Sequence, residues 1–240
     1  MITRRREFLL AGAALGIGGA TGRTLLAADA AKEAEDVSAG EDLMREHGVL
    51  RRLLLVYEEC VRRLDGEPKV DDIVAATFCL KGAVELIERF IEDYHEKLEE
   101  KYLFPEFEKR GELVRLVKVL KEQHSAGRAL TKTLIHLSAR VDSDKQILEH
   151  PGSRQEAIKC CKAFVRMYRP HAAREDTVLF PAFKKLLSAK QLDQLGDKFE
   201  DEEKRLFGSN GFEGVVGALV PIEERLGIYD LAQFTPKLAK

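Results

Sequence analysis

A segment that occurs twice constrains this chain more than any other feature. His95-Glu96-Lys97-Leu98-Glu99-Glu100-Lys101-Tyr102-Leu103-Phe104-Pro105-Glu106-Phe107 aligns without gaps with His171-Ala172-Ala173-Arg174-Glu175-Asp176-Thr177-Val178-Leu179-Phe180-Pro181-Ala182-Phe183. Both copies have a His, a Glu four residues later, then Leu-Phe-Pro and a Phe two beyond. Two lone histidines repeat with them: His47 precedes His95 by 48 residues, and His124 precedes His171 by 47. Self-similarity of this kind marks a duplicated structural unit. Residues four apart share one face of a helix, a turn apart. The repeat therefore predicts two helix hairpins, each supplying one lone His and one His-x-x-x-Glu.

Apolar periodicity agrees and makes the fold class all-α. Helices are predicted over about 41–64, 70–110, 112–140 and 153–187. The first carries the stripe Leu43, His47, Leu50, Leu54, Tyr57, Val61 and Leu64. In the second, Ile73, Thr77, Val84, Ile87, Ile91, His95, Leu98 and Tyr102 align. His124 and His171 lie on the inner faces of the third and fourth. Pro105 and Pro181 are expected to kink or break their helices and Pro170 to bend the fourth, while Gly111 marks the end of the second. Residues 141–152 read as a loop. Beyond 188 one further helix to about 206, a turn at 208–211, a short helix over 220–226 and a loose end are expected. The 240 residues comprise 45% hydrophobic and 33% charged side chains with no Trp, as in an ordinary helical globular chain. The formal charge of -2 leaves no nucleic-acid footprint.

Residues 1–30 are expected to be an export signal. Arg4-Arg5-Arg6 precedes Phe8-Leu9, a short Ala- and Gly-rich stretch follows, and Ala28-Asp29-Ala30 offers small residues for cleavage. The arginine pair before Phe8-Leu9 resembles a twin-arginine signal, so a periplasmic or exported protein is expected, with no stable membrane insertion once the signal is gone. The mature chain would carry 35 basic against 39 acidic residues. Residues 31–40 form a tether, 41–187 the bundle and 188–240 a C-terminal helical extension. The spacing of Cys60, Cys79, Cys160 and Cys161 fits neither a disulfide scaffold nor a zinc site, which leaves them as buried small hydrophobes. A Cys60–Cys79 bridge is the one pairing to test.

The chemistry lies in the interior polar residues. Two His-x-x-x-Glu pairs and two lone histidines give four imidazoles and two carboxylates: His47, His95, Glu99, His124, His171 and Glu175. Side chains of this kind projecting from all four helices build two-metal sites in bundle cores. Mixed nitrogen and oxygen ligation suits iron, with manganese or zinc as alternatives. A single His on an apolar face is more often a core residue. Four of them, two with Glu at the same offset, would be costly to bury without a metal. Glu96 is either an additional ligand or a solvated-face charge. Phe104, Phe180, Tyr102 and Leu103 either wall a ligand pocket or pack the core, and His136 and His150 are expected at the surface.

The order His47, His95-x-x-x-Glu99, His124, His171-x-x-x-Glu175 resembles the hemerythrin-like, HHE cation-binding family over about residues 41–187. Glu46-His47, Tyr94-His95 and the two Leu-Phe-Pro runs add to the likeness. The resemblance implies an up-down four-helix bundle around a non-haem di-iron centre that binds dioxygen or nitric oxide. By it, the four histidines bind iron, and Glu99 and Glu175 bridge the pair. Two departures separate the chain from oxygen-carrying members. Arg128 stands where they have a further His, and His171-x-x-x-Glu175 replaces their His-x-x-x-x-Asp pair. The leading expectation is a binding protein for dioxygen or nitric oxide, or a store for iron. An enzyme that turns over nitric oxide or peroxide comes second, and iron–sulfur cluster repair third. Residues 191–240 are too short for a sensor's output domain. The oligomeric state is left open.

Overall fold

The computed structural model describes residues 38–139, 141–142 and 145–237. Residues 1–30, expected to be an export signal, and most of the expected tether lie outside these residues. Four long helices form the body. Helix α1 is Ala39–Leu64. Helix α2 spans residues 70–110 and is built end to end from Val70–Leu86, Ile87–His95, Glu96–Leu98, Glu99–Leu103 and Phe104–Arg110. Helix α3 is Val114–Ala139. Helix α4 spans 151–186 as Pro151–Arg174, Glu175–Leu179 and Phe180–Leu186. A two-residue ribbon, Val141–Asp142 paired with Lys145–Gln146, lies within the connection expected to be a loop. His150 Nδ1 accepts the Gly152 N–H at 3.2 Å and caps α4, which starts at Pro151.

Helix α1 packs on α2 and α4, and α3 packs on α2 and α4. The helices thus close a ring in chain order, as an up-down bundle requires. The stripe on α1 is the buried one: Leu43, His47, Leu50, Leu54, Tyr57 and Leu64 all face inward. Alternating direction brings together the N-terminal part of α1, the C-terminal half of α2, the N-terminal half of α3 and the C-terminal half of α4. That end of the bundle holds the polar residues. The opposite end is an apolar core around Leu53, Tyr57, Cys60, Leu80, Val84 and Phe164. All four cysteines are buried free thiols; Cys60 and Cys79 donate to the Ala76 and Ile222 carbonyls rather than bonding each other.

Of the kink or break expected at Pro105 and Pro181, neither helix shows a break. The Phe104 N–H donates to the Glu99 carbonyl and the Phe180 N–H to the Glu175 carbonyl, five residues back rather than four. Such a π-turn is wider than an α-turn. It admits the proline ring that would otherwise clash with the carbonyl four residues earlier. Both π-turns begin at the repeated glutamates, so the sequence repeat is a structural repeat. Pro170 also lies within a continuous helix. At Gly111, φ is 72° and the Glu112 N–H returns to the Phe107 carbonyl at 3.1 Å, which ends α2 as expected.

The C-terminal extension is longer in helix than its sequence suggests. Helix α5 is Ala189–Phe207, opened by a Ser188–Gln191 capping box. Helix α6 is Gly211–Leu226, not the short 220–226 piece expected. It lies against α1 and α2. Arg52 grips Glu223 with two bonds of 2.8 and 2.5 Å, and Arg45 meets Glu213 at 2.5 Å. Among the described residues no helix is long and apolar enough to cross a membrane.

Candidate metal centre

The six predicted residues converge. Glu99, His124, His171 and Glu175 have ligand atoms within 4.8 Å of one another, as do His47, His95 and Glu99. The two sets share Glu99, and Glu175 joins them from the other side. His47 Nε2 is 3.4 Å and His171 Nε2 3.0 Å from Glu175 Oε2. His124 Nε2 is 3.4 Å from Glu99 Oε2, and His95 Nε2 is 3.8 Å from Glu99 Oε1. All six side chains are buried.

Each imidazole turns its Nε2 inward and its Nδ1 outward to an oxygen. His47 Nδ1 meets Asp176 Oδ1 at 2.7 Å and His95 Nδ1 meets Glu46 Oε2 at 2.7 Å. His124 Nδ1 meets Glu100 Oε1 at 3.2 Å and His171 Nδ1 meets Gln123 Oε1 at 2.8 Å. An oxygen acceptor fixes the tautomer: Nδ1 carries the proton and donates, so the neutral ring offers a lone pair at Nε2. Metal-binding histidines are held in this way. Each partner comes from the preceding helix of the ring: Glu46 of α1 serves α2, Glu100 of α2 serves α3, Gln123 of α3 serves α4, and Asp176 of α4 serves α1.

Five of the inward atoms have no hydrogen-bond partner in the protein. Both oxygens of Glu99, both of Glu175 and Nε2 of His124 are buried without a hydrogen-bond partner. His47 Nε2 and His95 Nε2 face each other at 3.1 Å, where two lone pairs would repel unless a proton or a metal cation lay between them. Buried orphans of this kind are expensive. The donor set fits a cation on both counts.

The electrostatics agree. Burial and the facing Glu175 push the Glu99 carboxyl well above the usual carboxylate range. Burial works against charge on Glu175 too, but His171 and His47 outweigh it and hold that carboxyl low. His95 is pushed down by burial and by neighbouring His47, and His124 is pushed down by burial. Burial opposes charge on His47, yet Asp176 and Glu175 raise it. Burial thus works against charge on Glu99, while the acids around His47 favour it there. A dication would offset the burial penalty, because it supplies the positive charge that keeps every carboxylate ionised.

Phe104 and Phe180 line the site. Phe180 stacks on His47 with centroids 5.4 Å apart, and Phe104 stacks on His124 at 5.5 Å. Leu103 is core, and Tyr102 points away to Phe199. Phe180 also forms the inner wall of an apolar cavity of about 180 Å³ at the start of α1, lined further by Met44, Pro181, Phe183 and Leu192. His136 and His150 are exposed, as expected.

Glu96 is neither a solvated charge nor an inward group. It is buried, accepts the Tyr168 hydroxyl at 2.5 Å and pairs with Arg128 at 2.7 Å. Burial lifts its carboxyl to about 8, with Tyr168 and Arg128 opposing. It could also join Glu100 and His124 as a cation set, but Arg128 already lies on both acids, at 2.7 Å from each. The outer partners Glu46, Glu100, Gln123 and Asp176 escaped the sequence reading. A signal existed: each adjoins a ligand at the same place in both halves, Glu46-His47 with Gln123-His124 and Glu99-Glu100 with Glu175-Asp176. Arg51 and Arg128 repeat too, four residues after each lone His. Arg51 binds Asp176 as Arg128 binds Glu100.

A buried cluster of four imidazoles and two carboxylates at one end of a four-helix bundle defines a helical-bundle metal-binding protein. The hemerythrin HHE cation binding domain matches residues 38–183, well over half the chain. The protein belongs to that family. The match ends before α5 and α6. The chain is 46% identical over 200 residues, 83% of its length and 74% of theirs, to uncharacterized proteins of Mycobacterium bovis and of two Mycobacterium tuberculosis strains. No solved structure matches it.

Proposed function

We propose that the cluster holds two iron ions and handles a small diatomic ligand, dioxygen or nitric oxide. His47 and His95 would bind one ion, His124 and His171 the other, with Glu99 and Glu175 shared between them. The observation that carries this reading is the set of four inward Nε2 atoms, each with its Nδ1 tied to an oxygen, around four carboxylate oxygens without partners. Bound iron would supply redox chemistry and open positions for the ligand. The protein's part is to fix the tautomers, exclude water with Phe104 and Phe180, and hold both carboxylates between the two imidazole pairs.

A second reading, turnover of peroxide or nitric oxide, is favoured by one observation. Arg128 points to Glu96 and Glu100 rather than supplying a further ligand, which leaves two imidazoles for each ion and room on both. Metal analysis with absorption spectra of the reduced protein before and after oxygen tests both. Two iron equivalents and a reversible charge-transfer band support binding. Irreversible oxidation with consumption of peroxide or nitric oxide supports turnover, and a chain that binds no metal refutes both. We also propose export by the twin-arginine route, supported by Arg4-Arg5-Arg6 before Phe8-Leu9. Fractionation of cells carrying Arg5→Lys/Arg6→Lys tests it, with retention in the cytoplasm expected and unchanged export refuting it.

A further inference from the structure

The two halves of the centre are related residue by residue, and comparing them exposes a difference behind the histidines. His47 corresponds to His124, His95 to His171, Arg51 to Arg128 and Asp176 to Glu100. The residue behind the repeat histidine does not match: Glu46 stands behind His95, whereas Gln123 stands behind His171. We propose that the two metal positions are inequivalent, and that the one held by His47 and His95 binds its ion more tightly and fills first. The inference rests on the two-metal reading above.

The geometry supports it on both histidines of that half. A carboxylate accepts a stronger hydrogen bond than an amide oxygen. It makes the imidazole a better electron donor to a metal on its other nitrogen. Burial works against charge on Glu46, so the comparison is of the loaded site, where His95 has the Glu46 carboxylate at 2.7 Å and His171 has the Gln123 amide at 2.8 Å. The lone histidines differ in the same direction. Asp176 gives Oδ1 to His47 at 2.7 Å and keeps Oδ2 for Arg51. Glu100 uses a single oxygen for both tasks, Oε1 at 3.2 Å from His124 and 2.7 Å from Arg128. That oxygen's density is drawn toward the guanidinium and away from the ring.

Glu96 is the one group that could restore balance, since its counterpart in the other half is Ala172. It does not reach the imidazole. Its Oε2 lies 3.9 Å from His124 Nδ1, beyond hydrogen-bond distance, and its carboxyl is taken by Tyr168 and Arg128. Both imidazoles of the first half therefore have closer and more strongly accepting partners than both of the second.

The experiment uses the full chain loaded with Co(II), stripped by an excess of chelator and followed by the cobalt absorption bands. Release in two phases of one equivalent each is expected. Removal of an outer partner weakens metal binding about 10–100-fold. Glu46→Gln should accordingly speed the slow phase at least tenfold and leave the fast phase unchanged, while Gln123→Glu should slow the fast phase toward the slow one. Each swap is nearly isosteric, and circular dichroism of both variants checks the fold. Two equivalents leaving in a single phase, or Glu46→Gln acting on the fast phase, overturns the inference while leaving the two-metal reading intact. A chain that takes up no cobalt overturns that reading and the inference with it.

Discussion

Replacing Gly127 by alanine sets two effects of opposite sign against each other. Gly127 lies inside α3, where alanine is favoured over glycine by about 1 kcal/mol. Helix propensity alone would make the variant more stable. The packing says otherwise. A Cβ built at Gly127 would lie 2.8 Å from both Cε2 and Cζ of Tyr168, and nearer still to its hydroxyl oxygen. Tyr168 has no room to retreat. Its ring stacks on Phe164 at 4.3 Å and its hydroxyl donates to buried Glu96 at 2.5 Å. Forcing extra volume into such a site costs roughly 1–3 kcal/mol. Breaking the bond to a buried carboxyl costs roughly another 1–3 kcal/mol. After subtracting the propensity gain, a net loss of about 3 kcal/mol remains. For a chain of this length, thermal unfolding should move down by roughly 6–12 °C.

The assay is thermal unfolding of wild type, Gly127→Ala, Tyr168→Phe and the double variant at equal metal content. Tyr168→Phe removes the most crowded atom and the hydrogen bond together, so the double variant should lose less than the sum of the singles, by about 1 kcal/mol or more. A neutral or stabilised Gly127→Ala, or strict additivity with Tyr168→Phe, would refute the packing argument and leave propensity in charge.

Three further outcomes follow from the same geometry. His95→Ala and His171→Ala should each lower bound metal from two equivalents to one or fewer by elemental analysis, and full occupancy in either would strike that residue from the ligand set. Burial raises the Glu92 carboxyl to about 7, with the Thr131 hydroxyl opposing. The fold favours its protonated form, so its contribution is complete below the unfolded value of about 4.3 and is lost as pH rises through 7. Glu92→Gln should thus be more stable than wild type at pH 8, by about 1–3 kcal/mol, with the difference shrinking as pH falls and gone below about pH 4; equal urea midpoints at pH 8 would count against it. Arg52→Ala strands the buried Glu223 carboxylate, but Arg52 itself is 30% exposed. The usual loss for a broken buried pair is therefore discounted to about 1–3 kcal/mol. Faster tryptic cleavage within α6 should accompany it, and unchanged proteolysis would show that the pair does not hold α6 down.

The four bundle helices and all six inward residues could be read from the amino acids because both depend on spacing. An apolar stripe of period 3.6 fixes which face of α1 is buried, and His95 with Glu99 must share a face whatever the helix packs against. The π-turns could not be read this way. A hydrogen bond five residues back leaves the same apolar pattern as one four back, so Pro105 and Pro181 looked like breaks. Helix α6 was shortened for a related reason. Gly211, Gly214 and Gly217 are poor helix residues, yet Phe212, Val215, Leu219, Ile222 and Leu226 bury one continuous face. Burial of that face against α1 and α2 outweighs propensity. The outer partners were hidden by abundance: in Glu99-Glu100 and Glu175-Asp176 two acids sit side by side, and only packing decides which turns inward. His171 has acids four and five residues on, and the structure sends Glu175 to the centre and Asp176 to His47.

The circular order of those outer contacts has a consequence for the fold. Apolar stripes alone do not fix the axial register of four long helices, because a slip of two turns returns leucines to much the same face. Here every helix gives an oxygen to an imidazole on the next one and receives an oxygen from the one before. Sliding α3 by two turns, about 10 Å, would detach both Glu100–His124 and Gln123–His171, leaving two buried imidazoles without their outer partners. Unsatisfied buried polar groups cost more than satisfied ones return, so the penalty falls on wrong registers more heavily than the benefit falls on the right one. Polar groups in the interior thus specify one alignment that apolar packing leaves degenerate, the same role a buried Asn has in fixing coiled-coil register. The alignment they select is the one that brings all four Nε2 atoms to a common centre.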